Sequence, residues 1–208
     1  MLRPRLRPLL LTAAAGLFAL TVATPAANAA TPQADPMLNA TYPVTGSTMI
    51  NATNSSLTLG PGTLTAALDT TTLAFTANLD LPAATGSFTE LGFVPVTATA
   101  EFIQDGAITG TDVNGGITAT AHITIRLTRV SVSGFPVVVG PRCQTTPAEI
   151  DLASGDGFNV LTGGPVSGTF TIPNFANCGL NTGIINATIP GAGNTIDLDL
   201  ATPTVTTS

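Results

Sequence analysis

The sequence predicts an all-β protein, either an antiparallel sandwich of two sheets or, as the alternative, a closed or partly open β-barrel. Three observations support this class. Apolar and polar residues alternate with a period of two in short successive segments, which places one face of each strand in a core and the other in water. Stretches rich in Gly and Pro separate these segments. Thr, which suits a pleated strand, occurs 37 times among the 208 residues.

The first clearly alternating segments are LAFTANLDL (residues 73–81) and VPVTATAEF (residues 94–102). Every second residue in the first segment is apolar, and the second follows the same pattern. Apart from Ala74 and Pro95, the alternate positions of the two segments hold Thr, Asn, Asp and Glu, which suit a face in contact with water. Each segment is therefore predicted to be a strand with one buried face.

A longer segment, ITATAHITIRLTRVSV (residues 117–132), changes its pattern near Thr128 and Arg129. Before this point the odd-numbered residues are apolar, and after it the even-numbered residues are apolar instead. Because a shift of one residue exchanges the two faces of a strand, the change predicts a β-bulge or a sharp bend.

The second half of the chain is predicted to contain two further strands and a closing hairpin. PAEIDLA (147–153) and SGTFTIP (167–173) continue the alternation. IINATI (184–189) and TIDLDLA (195–201), with the turn PGAGN between them, are predicted to form the hairpin. In its first strand, three residues are expected to face the core: Ile185, Ala187 and Ile189.

The chain is predicted to be exported as a single β domain. Residues 1–29 contain three Arg near their start, an apolar stretch and the small-residue pattern Ala27-Asn28-Ala29, which is the order of a secretory signal peptide. We further predict a flexible lead-in at 30–40, one β domain at 41–201 and a flexible tail at 202–208. No later apolar stretch has the length of a membrane-spanning helix. The expected location is the cell envelope or the medium.

Cys143 and Cys178 are the two cysteines of the sequence. An even number of cysteines in an exported chain predicts a disulfide, and only one pairing within the chain is possible. The spacing is unlike that of a redox or zinc motif, so a structural role is expected.

The charge balance restricts the partners. The net charge is −6, and removal of the three Arg in residues 1–29 leaves −9 for the rest of the chain, which has three Arg and no Lys. Nucleic-acid binding requires a positive surface, so that class is excluded. An anionic membrane surface is disfavoured for the same reason. A component of the cell envelope or a small ligand remains a possible partner, and the sequence leaves the oligomeric state open.

Four polar residues on predicted strand faces are the surface candidates: His122, Arg126, Glu149 and Asp151. The first two share a face about 13 Å apart along the strand, which is too far to act together. No nucleophile motif accompanies His122, and the acidic pairs lack the aromatic platforms of sugar-cleaving sites. No catalytic residue is therefore predicted. The acidic loops match no calcium motif and no His/Cys cluster suits zinc, so no metal and no cofactor is expected.

Three stretches carry a resemblance to known proteins: FTELGFVPVTATAEFIQDG, ITIRLTRVSVSGFPVVVGPRCQTTPAEIDLASGDGF, and GTFTIPNFANCGLNTGIINATIPGAGNTIDLDL. Together they span roughly residues 85–201 and include both cysteines and the NCGL and PGAGNT turns. This part of the chain resembles a group of small secreted proteins of actinobacteria that has no assigned activity. The resemblance implies an exported β domain with a disulfide, and it implies no catalytic residues.

These observations favour a non-enzymatic exported protein that acts by binding or by structural display. A carrier of a small ligand or lipid is the second hypothesis, and an apolar cavity would support it. An envelope pore and a hydrolase are further alternatives. The alternation is compatible with a pore, but one Tyr and no Trp provide poor material for the aromatic girdles of a membrane barrel.

Overall fold

The computed structural model describes residues 37–207, and all structural statements below apply to them. The predicted signal peptide and residues 30–36 of the predicted lead-in lie outside the described residues. The described part consists of fourteen strands, one 3-10 turn and one short helix. In chain order these are β1 Met37–Ile50, β2 Ser55–Asp69, β3 Ala74–Asp80, β4 Ala84–Glu90, β5 Val94–Gln104, β6 Ile108–Val113, β7 Gly116–Val132, β8 Phe135–Val137, β9 Gln144–Thr145, β10 Ala148–Ser154, β11 Gly164–Ile172, β12 Phe175–Ala176, the 3-10 turn Gly179–Asn181, α1 Thr182–Thr188, β13 Gly191–Leu200 and β14 Thr204–Thr207.

Eight antiparallel strands close into a barrel, so the predicted all-β class is confirmed in its barrel form. Around the barrel the strands follow the order β7–β10–β11–β13–β1–β2–β3–β6 and return to β7. The closing contact runs from Ala148 paired with Ile123 to Ala153 paired with Thr118. Closure leaves these eight strands without a free edge in the ring, which removes the usual template for aggregation.

Two outer strands extend the barrel along the second half of β7. β5 pairs with β7 from Gln104 opposite Ile123 to Val96 opposite Val132, and β4 pairs with β5. β4 packs on β2 so closely that a Cβ at Gly86 would lie 2.8 Å from Leu57 Cγ. The molecule therefore continues beyond the barrel as two packed layers with a shared apolar interior.

The predicted bulge in the long strand is confirmed. Leu127 of β7 lies opposite Ala100, and Arg129 lies opposite Thr99, so Thr128 is the extra residue. On the barrel side of the bulge, the predicted apolar row faces the core, and its members are buried: Ala119, Ala121, Ile123, Ile125 and Leu127. The bulge lets one strand serve both the barrel and the outer layer.

The first strand of the predicted closing hairpin is wrong, because residues 182–188 form the helix α1. Ile185 is buried, Ile189 is half-buried, and Ala187 is exposed. Positions i and i+4 share a face in a helix as well as in a strand, so two Ile four residues apart fit both periods. Asn186 then fixes the helix, since its side chain accepts a hydrogen bond from Phe175 N (2.7 Å) and donates one to Phe175 O (3.0 Å).

The ordered strands extend past both predicted ends of the β domain. β1 begins at Met37, inside the predicted lead-in, and β14 lies inside the predicted tail at 202–208. The two pair antiparallel, from Leu38 opposite Thr207 to Thr41 opposite Thr204. Residues 37–40 of β1 also pair with the end of β2, whereas β14 pairs with β1 alone among the described strands.

The predicted disulfide between Cys143 and Cys178 is confirmed, and both cysteines are fully buried. It joins the loop after β8 to the segment just before the 3-10 turn.

Replacement of both cysteines by Ala is expected to lower the free energy of unfolding by about 3–4 kcal/mol, because the bond closes a loop of 35 residues in the unfolded chain. Urea denaturation of the double variant and of the oxidised wild type measures the difference. An unchanged unfolding midpoint would contradict a stabilising role for the bond.

Tyr42 is buried in the barrel, and its hydroxyl donates a hydrogen bond to Val160 O at 2.6 Å. Tyr42→Phe is expected to lower the free energy of unfolding by about 1–2 kcal/mol, because the carbonyl of Val160 loses its partner.

Burial also raises the pKa of Tyr42 above its ordinary value of 10.0. The free energy of unfolding of the wild type therefore exceeds that of Tyr42→Phe below pH 10, and this difference declines as the pH rises through the pKa of Tyr42 in the folded protein. Denaturation of both proteins across this range tests the sign, and a gap that widens with pH would contradict it.

Candidate functional site

The structure brings two of the four sequence candidates together. His122 of β7 and Glu149 of β10 are paired across the closing contact of the barrel. The distance between His122 Nε2 and Glu149 Oε2 is 3.4 Å, and the two side chains are 48% and 65% exposed. An ion pair this exposed contributes little, typically below about 1 kcal/mol.

Arg126 and Asp151 lie apart from that pair. Arg126 forms an ion pair with Glu101 of β5, with 3.0 Å between Arg126 Nε and Glu101 Oε2. Asp151 Oδ1 accepts a hydrogen bond from Thr120 Oγ1 at 3.1 Å. Each acidic group is thus occupied by its neighbour on the adjacent strand, and the four candidates decorate the outer surface of the barrel.

A shallow surface groove of about 670 Å³ lies beside Glu149. Its lining includes Thr169 and Thr171 of β11, but His122 is not part of it. Within residues 37–207 there is no group of three His, Cys, Asp or Glu residues that could hold a metal ion.

The interior contains two small apolar cavities of about 50 and 40 Å³. Leu57, Phe88 and Leu127 contribute to the first, which lies between the outer layer and β2, and Leu64 and Phe75 contribute to the second, near the start of β1. An apolar cavity that accommodates a molecule as small as benzene has a volume of about 150 Å³. The barrel interior is therefore filled by its own side chains.

The most unusual surface is a cluster of exposed apolar side chains at one end of the molecule. Ten large hydrophobic residues are exposed in the described part of the chain, and six of them lie on the turns, the loop and the short helix beside the last residues of β7. They are 66–103% exposed. We call these six residues the apolar end: Leu91, Phe93, Phe135, Val138, Leu180 and Ile184.

Strand pairing places the first three residues of the apolar end side by side. Leu91 and Phe93 belong to the turn between β4 and β5, and Phe135 begins β8. Val132, the last residue of β7, pairs with Val96 of β5 on one side and with Phe135 on the other. The two turns therefore project from the same end of the sheet.

The strand register and a hydrogen bond place the other three residues a few positions back from the two turns. Val137 pairs with Val130, so the next residue, Val138, comes level with Arg129. Asn181 Nδ2 donates to Val138 O at 2.7 Å, which ties the 3-10 turn to the loop after β8. Leu180 and Ile184 are four residues apart and so lie one above the other on the helical surface. The disulfide connects the same two segments a few residues away.

The area involved exceeds that of scattered surface apolar residues. A phenylalanine side chain has roughly 200 Å² of surface, so Phe93 and Phe135, each 75% exposed, together present about 300 Å². Four aliphatic side chains add to this. The largest apolar patch on a typical monomer measures about 300–600 Å², and larger patches mark interaction sites.

Leu91 occupies a backbone conformation that disfavours it. Its φ is +52°, and Gly92 follows with +77°, the sign pattern of a type I′ hairpin turn. At the opposite end of β7 the same pattern is made by Asn114 and Gly115, with φ of +58° and +85°. Asn tolerates this region, whereas a leucine there costs about 1–2 kcal/mol. An exposed Leu in this turn therefore lowers stability without adding to the core.

The alternation of the sequence does not indicate the apolar end. Both of its aromatic residues directly follow a turn glycine, in LGF at 91–93 and SGF at 133–135, and protrude from turns. A Gly-Phe pair is no sufficient signal, because Phe158 also follows a glycine and packs against the core.

Comparison with known proteins adds no family. No protein-family model, no curated protein and no solved structure matches this chain. Among the described residues no helix is both long and apolar enough to cross a membrane.

Exchange of the two turn residues tests the cost of Leu91. Leu91→Asn is expected to raise the free energy of unfolding by about 1 kcal/mol, because Asn accepts positive φ. The reciprocal change Asn114→Leu is the matched control and should lower it by a similar amount. Chemical denaturation measures both. A lower stability of Leu91→Asn would mean that the Leu91 side chain contributes to the core after all.

Proposed function

We propose that this chain is an exported, non-enzymatic β-domain protein that acts by binding, and that the apolar end is its docking surface. The observation that carries the proposal is the apolar end itself, six large side chains held in water by two hairpin turns and a disulfide-linked segment.

Export is supported from two directions. The first 29 residues have the basic, apolar and small-residue order of a secretory signal. The disulfide is compatible with an oxidising compartment outside the cytoplasm. Both features agree with a location in the envelope or in the medium.

Binding is favoured over catalysis by the environment of the chemical groups. His122 and Glu149 face each other on the open outer wall of the barrel, and the neighbouring groove does not reach His122. A general base needs a substrate held within hydrogen-bond distance, which requires a concave site around it. The polar residues of this wall instead serve solubility.

The carrier and pore hypotheses both need internal space. A carrier needs an apolar cavity of ligand size, and a pore needs a continuous polar lumen. Here the interior is lined by apolar side chains, and its two cavities measure about 50 and 40 Å³. The outer surface is therefore the better place for function.

Fractionation of producing cells tests the proposal. The first variant removes protruding apolar groups by Leu91→Asn, Phe93→Thr and Phe135→Thr. A matched control makes similar changes at the opposite end, Leu73→Asn, Val113→Thr and Leu161→Thr; Leu73 also has a positive φ of +60°. An antibody to the β domain then follows each protein in the envelope and in the medium.

We expect the wild type and the control in the envelope fraction and the apolar-end variant in the medium. The physical reason is the loss of most of the exposed aromatic area, with the fold unchanged. Equal distribution of all three proteins, with neither variant less thermally stable than the wild type, would contradict docking through the apolar end.

A further inference from the structure

We infer that the apolar end docks on a phospholipid surface, with its turns in the lipid interface and Arg129 and Arg142 on the lipid phosphates. This inference rests on the proposed function and names the partner of the same surface. Three observations support it: the shape of the apolar end, the distance of the two arginines from that end along β7, and the distribution of charge along the molecule.

The shape of the apolar end suits a soft, flat partner. Leu91, Phe93 and Phe135 lie at two hairpin turns and project outward, whereas Val138 lines a shallow groove beside Arg129. Apolar side chains that protrude in this way can enter a bilayer to a depth of about 5–10 Å, at the boundary between headgroups and acyl chains. A protein partner would need a preformed set of matching cavities.

The two arginines lie at the height of the lipid phosphates in this arrangement. Arg129 precedes Val132 by three residues, or about 10 Å along β7. Arg142 lies at a similar height, because Cys143 O accepts a hydrogen bond from Leu127 N at 2.8 Å. The headgroup layer on each side of a bilayer is about 5–8 Å thick, so turns buried in the interface bring both guanidinium groups to it.

Both guanidinium groups are available. Arg129 and Arg142 are exposed, and within residues 37–207 neither forms an ion pair or a hydrogen bond. Arg126, in contrast, is occupied by Glu101. Arg presents a planar fork of donors that matches the oxygens of a phosphate.

Charge is segregated along the molecule, which changes the conclusion drawn from net charge. The part around residues 126–132 of β7 contains three Arg against two acidic residues, Glu90 and Glu101, for a net charge of +1, and Asp105 lies just outside it, where it accepts a hydrogen bond from Thr124. The other nine acidic residues in 37–207 lie around the middle and the opposite end of the barrel, without any Lys or Arg.

Those acidic groups lie too far from the apolar end to repel an anionic lipid surface there strongly. Glu149 lies beside His122, ten residues, or about 33 Å, from Val132, and the Asp105 carboxylate accepts a hydrogen bond from Thr124, eight residues, or about 26 Å, from Val132. The Debye length at physiological ionic strength is about 8 Å. A lipid surface at the apolar end therefore responds to the local charge of that end.

Cosedimentation with vesicles tests the inference. The purified full chain is mixed with phosphatidylcholine vesicles, with or without phosphatidylglycerol, and bound protein is measured after centrifugation. The variants are the apolar-end triple variant, its control at Leu73, Val113 and Leu161, and the pair Arg129→Gln with Arg142→Gln. All of them keep residues 1–36, so any binding through that segment is common to all.

We expect the wild type and the control to bind, with tighter binding to vesicles that contain phosphatidylglycerol. The apolar-end variant should lose at least about tenfold in partition to both kinds of vesicle, because apolar area drives insertion. The arginine variant should lose about fivefold for each Arg on phosphatidylglycerol vesicles. Its loss should shrink as salt is added, and Arg129→Lys with Arg142→Lys should restore most of it.

Two results would overturn the inference in distinguishable ways. If the wild type stays in the envelope fraction of cells but ignores both kinds of vesicle, docking through the apolar end stands and its partner is a protein. If the wild type forms a dimer by light scattering that the apolar-end variant abolishes, the occupant is a second copy of the chain. Unfolding midpoints at or above that of the wild type for all variants exclude misfolding as the cause.

Discussion

The pairing of β7 with β10 is the interaction on which the rest of the structure depends. It closes the ring of eight strands and turns an open sheet, with two exposed edges, into a barrel. Closure decides which face of each strand is inside, and it sets the His122–Glu149 pair on the outside. Because this pairing also fixes the register of β7, it fixes how far along the barrel axis the turns at both ends of β7 lie.

The second half of β7 carries the apolar end away from the barrel. The extra residue at Thr128 shifts the strand so that its apolar face meets β4 and β5 instead of the barrel wall. The strand ends at Val132 between two turns, and the disulfide and Asn181 hold the short helical segment beside them. Rigid strands and a covalent bond thus present loops that contribute little to the core, which is how binding surfaces are commonly positioned.

Stability and surface chemistry oppose each other at this end. Leu91 has a positive φ that Asn would adopt more readily, and Phe93 and Phe135 expose most of their area to water. A partner that covers these side chains would remove their apolar area from water, and this burial would stabilise the complex. Acidic groups are concentrated elsewhere on the molecule, so an acidic chain retains a local surface with a small positive charge.

Alternation along the chain determined much of this protein. It predicted the all-β class, the buried row from Ala119 to Leu127 and the bulge near Thr128, because each depends on local periodicity. The number of cysteines predicted the disulfide, because only one pairing was possible. Alternation had limits as well. It could not choose between a sandwich and a barrel, since both bury one face of each strand. It mistook α1 for a strand, because two Ile four residues apart fit either period.

The apolar end was decided only by tertiary structure. Turns distant in sequence meet because β7 pairs with β5 on one side and β8 on the other, and the alternation within a strand contains no information about which strand ends meet.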